Sequence, residues 1–140
     1  MMKASRRICC LLGLAWVCSV QAQGAEDIGR AQAAATQWLA LSDGGQYAAS
    51  WDQAAAVFQQ SISKAKWEEA LKAVRSPLGA LKSRTMKSAT WTKALPGAKG
   101  GPFLVVQYDS EFEHKAGAVE TVTPMREADG SWKVSGYFIK

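Results

Sequence analysis

Cysteine, histidine and long apolar runs are scarce in this 140-residue chain, and each scarcity closes off a class of function. The three cysteines, Cys9, Cys10 and Cys18, all fall within a segment expected to be removed, so the mature protein has no thiol, disulfide or cysteine metal ligand. His114 is the single histidine, without a second histidine at metal-binding spacing, and it sits in the turn His114-Lys115-Ala116-Gly117, where a solvated residue belongs. No loop offers the six to eight oxygens that calcium takes. The glycine-rich run from Pro96 to Pro102 lacks the Gly-Lys-Ser/Thr ending of a phosphate loop and reads as a hairpin connection. The residues therefore call for no cofactor and no metal.

The apolar run Ile8 to Val17 is too short to span a bilayer, which takes roughly 20 residues. Lys3, Arg6 and Arg7 precede it and Val20-Gln21-Ala22 follows it, the pattern of a secretory signal peptide over residues 1–22. Cleavage would leave one domain, residues 23–140, without a membrane anchor and most simply periplasmic. Cys18 follows the bulky Trp16, a poor match to a lipid-attachment box. Losing three basic residues takes the net charge from +5 to +2, which together with export argues against a nucleic-acid partner, since that wants a clustered basic patch.

Downstream, the spacing predicts three helices. Ile28, Ala31, Ala35, Trp38 and Leu39 mark the first, from Asp27 to Ser42, closed by Gly44-Gly45. Tyr47, Trp51, Ala54, Ala55 and Phe58 mark a second. A third is capped by Ser63, stapled by Ile62 to Trp67, and buries Trp67, Ala70, Leu71 and Val74 before Pro77 and Gly79 stop it.

After Gly79 the apolar period shortens to two. Strands are expected at about 81–95, at Leu104 to Glu113, at Val119 to Glu127 and at Trp132 to Ile139, with a two-residue turn at Asp129-Gly130. That turn would set Met125 opposite Val134 and Thr121 opposite Phe138, with Val119, Thr121, Thr123 and Met125 facing the helices. The expected fold is α+β: three N-terminal helices packed on a curved four-stranded antiparallel sheet.

The segments Trp38-Leu39 with Asp43, Tyr47 with Ser50-Trp51, Trp67 with Arg75-Ser76-Pro77-Leu78-Gly79 and Arg84, Leu95-Pro96-Gly97, Glu120-Thr121-Val122-Thr123, and Asp129-Gly130 through Trp132 to Gly136-Tyr137-Phe138 occur in a telling order. In combination they resemble the bacterial family called domain of unknown function 4019, over about residues 28 to 139. The resemblance implies an exported protein with a cone fold similar to the nuclear transport factor 2 (NTF2) and cystatin-like class. It implies no activity, and such a fold serves enzymes and binding modules alike.

Two carboxylate readings follow from the strands. Glu111 and Glu120 would sit side by side on the outer sheet face, either as an acid/base pair or as a solvated surface offset by Lys82 and Arg84. The aromatics fill the core, or with Tyr47, Trp51, Tyr108, Thr121 and Thr123 line a ligand cavity. The favoured function is a non-catalytic exported domain that binds a small apolar or aromatic ligand or an envelope protein, with homodimerisation through the sheet as one form. The alternative is a cofactor-free enzyme with Asp43, Asp52 or Asp109 as base.

Overall fold

The computed structural model describes residues 18–140, with side chains from residue 23. Cys9, Cys10 and the basic head of the expected signal segment lie outside the described residues. The first helix, α1 (Cys18–Asp43), reaches back through the expected cleavage point. Its buried stripe is Ala31, Ala35, Trp38 and Leu39, while Ile28 lies outside the core. Gly45 then takes a positive φ of 73° and the chain reverses, with the Gln46 N–H donating to the Leu41 carbonyl.

The single second helix expected from the aromatic stripe is two short ones, α2 (Tyr47–Asp52) and α3 (Ala56–Ser61). Ala55 between them is extended, and its N–H donates to the Val134 carbonyl rather than to its own helix. Burying Ala54 and Ala55 against the sheet outweighs helix continuity there. The helix α4 (Lys64–Arg75) starts as expected, with Ser63 Oγ accepting from the Lys66 N–H. Its buried residues are Trp67, Leu71 and Arg75, so Ala70 and Val74, both expected inside, are exposed. A 3-10 turn, Ser76–Leu78, leads to the sheet.

Four strands, β1 (Leu81–Thr92), β2 (Phe103–Phe112), β3 (Lys115–Arg126) and β4 (Trp132–Ile139), form an open antiparallel meander in the order β1-β2-β3-β4. The helix α1 lies across β2, β3 and β4. Trp38, Leu39, Trp67 and Leu71 pack there on Leu104, Val106, Val122 and Val134. Three indole N–H groups tie the helices together: Trp38 donates to the Ser50 carbonyl, Trp67 to Ser50 Oγ and Trp51 to the Ile62 carbonyl.

The register differs from expectation at one end of the last hairpin. Glu127 N–H donates to the Ser131 carbonyl, so the loop is one residue longer than the two-residue turn, with Gly130 at φ 84°. Pro124 therefore faces Val134 and Met125 faces Lys133. A bulge between Thr123 and Pro124 then restores the expected pairing of Thr121 with Phe138. Because the extra residue swaps faces, Val134 and Tyr137 both point to the helices and Phe138 points away. Ala118, Glu120, Val122 and Pro124 face the α1 side on β3; Val119, Thr121, Thr123 and Met125 face the opposite side, contrary to expectation, and there Met125 is buried against Phe103 and Ala55.

Candidate functional site

A buried ionic network joins both ends of the sequence. Glu120, expected on the wet face beside Glu111, is fully buried opposite Tyr108. Its carboxylate accepts from Arg84 Nε at 2.7 Å and Nη2 at 3.0 Å, from Ser110 Oγ at 2.5 Å and from the Tyr137 hydroxyl at 2.5 Å. Arg84 turns its other edge to Asp43, with Nη1 to Oδ2 at 2.7 Å and Nη2 to Oδ1 at 2.9 Å. Asp43 also accepts from Arg75 Nη2 at 2.8 Å.

Two carboxylates thus meet two guanidiniums, and the charges cancel inside the fold. Six elements each supply one part: α1 ends in Asp43, α4 ends in Arg75, and the strands place Arg84, Ser110, Glu120 and Tyr137 side by side. Arg75 is buried with Nε and Nη1 unpartnered, and its guanidinium lies 5.0 Å from the centre of the Phe112 ring, which offsets part of that cost.

The surroundings shift three members of this network, Asp43, Arg84 and Tyr137. Burial alone would raise the Asp43 pKa, but the hydrogen bonds and charges of Arg84 and Arg75 outweigh it and hold the group below the usual carboxylate range. Burial would likewise favour neutral Arg84, and its bonds to Asp43 and Glu120 overcome that and raise its pKa. Tyr137 is pushed well above the usual phenol value by burial, then by the Glu120 charge and hydrogen bond. A carboxylate held ionised by two arginines is a poor base at neutral pH, so Asp43 does not serve the acid/base reading.

The other base candidates are on the surface. Asp52 pairs with Lys64 and Asp109 with Lys87, all with exposed side chains. Glu111 pairs with Lys82 at 3.5 Å on the wet face, as the strand pattern implied for that residue alone. His114 is exposed beside Glu113.

The five expected ligand residues do not converge. Tyr47 and Trp51 are half-buried on α2 against the core, and Tyr108 is buried on β2 with its hydroxyl unpartnered, 6.0 Å from Arg84 to its ring centre. Thr121 and Thr123 project from the opposite sheet face, Thr121 towards Gln107 at 3.5 Å. The intervening sheet separates the two groups.

Thr123 does line a cavity of about 610 Å³ that the sequence reading missed. Its walls are Val57, Gln60 and Ser61 of α3, Leu95 and Gly97 to Lys99 of the loop between β1 and β2, Phe103, Thr123 and the Ser135–Phe138 stretch of β4. A smaller hollow of about 160 Å³ lies on the other side of β4, between it and α4, lined by Trp67, Ala70, Leu71 and Val74 with residues 137–139. Two further hollows flank α1 near Trp132. No Asp or Glu lines any of the four. Among the described residues no three His, Cys, Asp or Glu side chains gather as a metal would require, and no helix is long and apolar enough to cross a membrane.

The family described as "Protein of unknown function (DUF4019)" matches residues 34–137, which takes in the last part of α1, β1 to β3, β4 as far as Tyr137 and every member of the ionic network. The chain belongs to that family. No curated protein and no solved structure matches it. Asp43, Arg75, Arg84, Glu120 and Tyr137 stand in the segments that carried the family resemblance, and the DUF4019 fold of this chain brings them into one contact network. Their shared signal in the sequence was that resemblance; their spacing along the chain, in five separate elements, gave none.

Proposed function

We propose that this DUF4019 chain is an exported, non-catalytic binding domain that holds a largely apolar molecule in the cavity between α3, the loop after β1 and β4. The observation that carries this reading is the cavity itself. At about 610 Å³ it falls in the range of small-molecule sites, and apolar walls from Val57, Leu95, Phe103 and Phe138 carry a few polar groups, Thr123, Ser135 and Gln60. Lys99 is its one charged lining residue, which favours a ligand with an acidic end. The reading includes the cone arrangement of the NTF2 and cystatin-like class, supported by α1 and α4 packed on one face of an antiparallel meander.

The ionic network serves as the brace that fixes the sheet behind the cavity. Its carboxylates are saturated by donors and line none of the four hollows, so acid/base chemistry has no site there. Anilinonaphthalene sulfonate, an apolar anion, tests the cavity. Its fluorescence should rise saturably, and Val57→Arg should abolish the rise while leaving the thermal midpoint within a few degrees. An equal rise in the variant would overturn the assignment. Export is checked by the intact mass of protein from the cell envelope, expected to begin at Gln23; a mass retaining Cys18 would refute it.

A further inference from the structure

The two sheet edges are defended differently. Along β1 the edge carries Lys82 and Lys87, and charged side chains of this kind discourage another strand from adding. Along β4, Lys133 is the one charged residue of the strand, and none follows from Val134 to Ile139. The Val119 and Lys140 backbones exchange hydrogen bonds at 2.8 and 3.1 Å. By alternation, Thr121–Phe138 and Thr123–Gly136 are the next hydrogen-bonded pairs, so the N–H and C=O of Tyr137 and Ile139 point away from β3. One residue of this chain already uses the same edge in a strand-like way, since extended Ala55 donates to the Val134 carbonyl. Beyond that bond, no other backbone bond from the described residues reaches Tyr137 or Ile139 on this edge.

The hollows sit on opposite faces of this open stretch. One is the cavity beside Phe138 and Thr123; the other is the space between Tyr137 and α4, where Val74 is exposed. Successive side chains of a strand point to opposite faces, so an added strand would send alternate side chains into the two hollows. Neither hollow contains an acidic group, whereas Lys99 lines the larger and the Lys140 ammonium lies 5.9 Å from the centre of the Phe138 ring.

We propose that the occupant of this site is an extended segment of a partner protein that adds to β4 as a fifth strand, a short apolar run filling both hollows in turn and an acidic flank meeting Lys99. This rests on the cavity being a binding site and names its partner class. Main-chain bonds to Tyr137 and Ile139 would give affinity, and the two hollows would select the sequence.

The test uses acetylated heptapeptides with Val, Leu, Ile or Phe at the three central positions and Glu at the flanks, titrated into the isotope-labelled protein. The best members should slow amide exchange at Tyr137 and Ile139 by at least tenfold. N-methylation of the central peptide bond should weaken binding at least tenfold. Lys99→Glu should weaken it about three- to five-fold, and Val74→Lys, at an exposed position, should weaken it without loss of fold. If no member protects those amides while anilinonaphthalene sulfonate still fills the cavity, strand addition is overturned and the cavity reading survives. If neither probe binds, both fall. Protection of Tyr137 and Ile139 in the protein alone, growing with concentration alongside dimer in sedimentation, would assign the edge to a second copy and overturn the peptide partner.

Discussion

Replacing Glu120 by Gln removes one charge and almost no volume, and the structure sets its cost. The carboxylate is fully buried and receives four hydrogen bonds, two of them from Arg84. The Ser110 and Tyr137 hydroxyls can rotate to accept from the new amide. Arg84 cannot, because its guanidinium only donates and presents one N–H to each side of the carboxyl group. Whichever way the amide turns, one Arg84 N–H meets an NH₂, and the network is left with a net positive charge inside the fold. Breaking one partner of a buried ion pair costs about 3–5 kcal/mol. For a domain of this length that is a fall in Tm of roughly 10–20 °C. The comparison is Glu111→Gln, whose side chain is 47% exposed and faces Lys82 at 3.5 Å, for which a change within about 0.5 kcal/mol is expected. Urea unfolding of both variants decides it. A Glu120→Gln loss below about 1 kcal/mol, or one equal to Glu111→Gln, would refute the view that this network braces the fold.

Trp67→Ala should cost about 3–5 kcal/mol, because Trp67 is buried, meets Phe58 edge-on at 4.8 Å and donates to Ser50 Oγ; denaturant unfolding below about 1 kcal/mol would refute that packing. The depressed pKa of Asp43 gives stability that is present above its ordinary value of about 4 and lost as pH falls through the folded value, so Asp43→Asn should flatten the acid limb of a Tm-against-pH curve. The raised pKa of Tyr137 acts at the other end: its contribution is whole below about pH 10 and lost as pH rises, and Tyr137→Phe should flatten that alkaline limb. Curves of unchanged shape in either variant would contradict the corresponding assignment.

Much of the scaffold was legible because it rests on local rules. Apolar spacing marked the inward stripe Ala31-Ala35-Trp38-Leu39, Ser63 capped α4, and the alternation along Leu104, Val106 and Tyr108 gave the buried face of β2. Failure came where a distant partner overrode the local pattern. Ala54 and Ala55 continue the helical period yet leave the helix, and the Ala55 N–H bonds to Val134 of β4. The stripe on α4 predicts Val74 inside, but Arg75 turns inward to reach Asp43, and Val74 is left beside the hollow that flanks the sheet edge.

By itself, the sequence determined the α+β class, the positions of the long helices and three of the strands, and the family, because periodicity, caps and turn residues act within a few positions of the chain. The faces of β3 were decided by tertiary structure alone. One additional loop residue and one bulge shift the pairing of Met125 without shifting that of Thr121, and with a side-chain period of two that difference sends Glu120 inward and Thr121 and Thr123 outward. The ionic network, the cavity and the open edge of β4 all depend on that choice, which is settled only when strands distant in sequence pair and the burial of Glu120 is compensated by Arg84 of β1, itself held by Asp43 of α1.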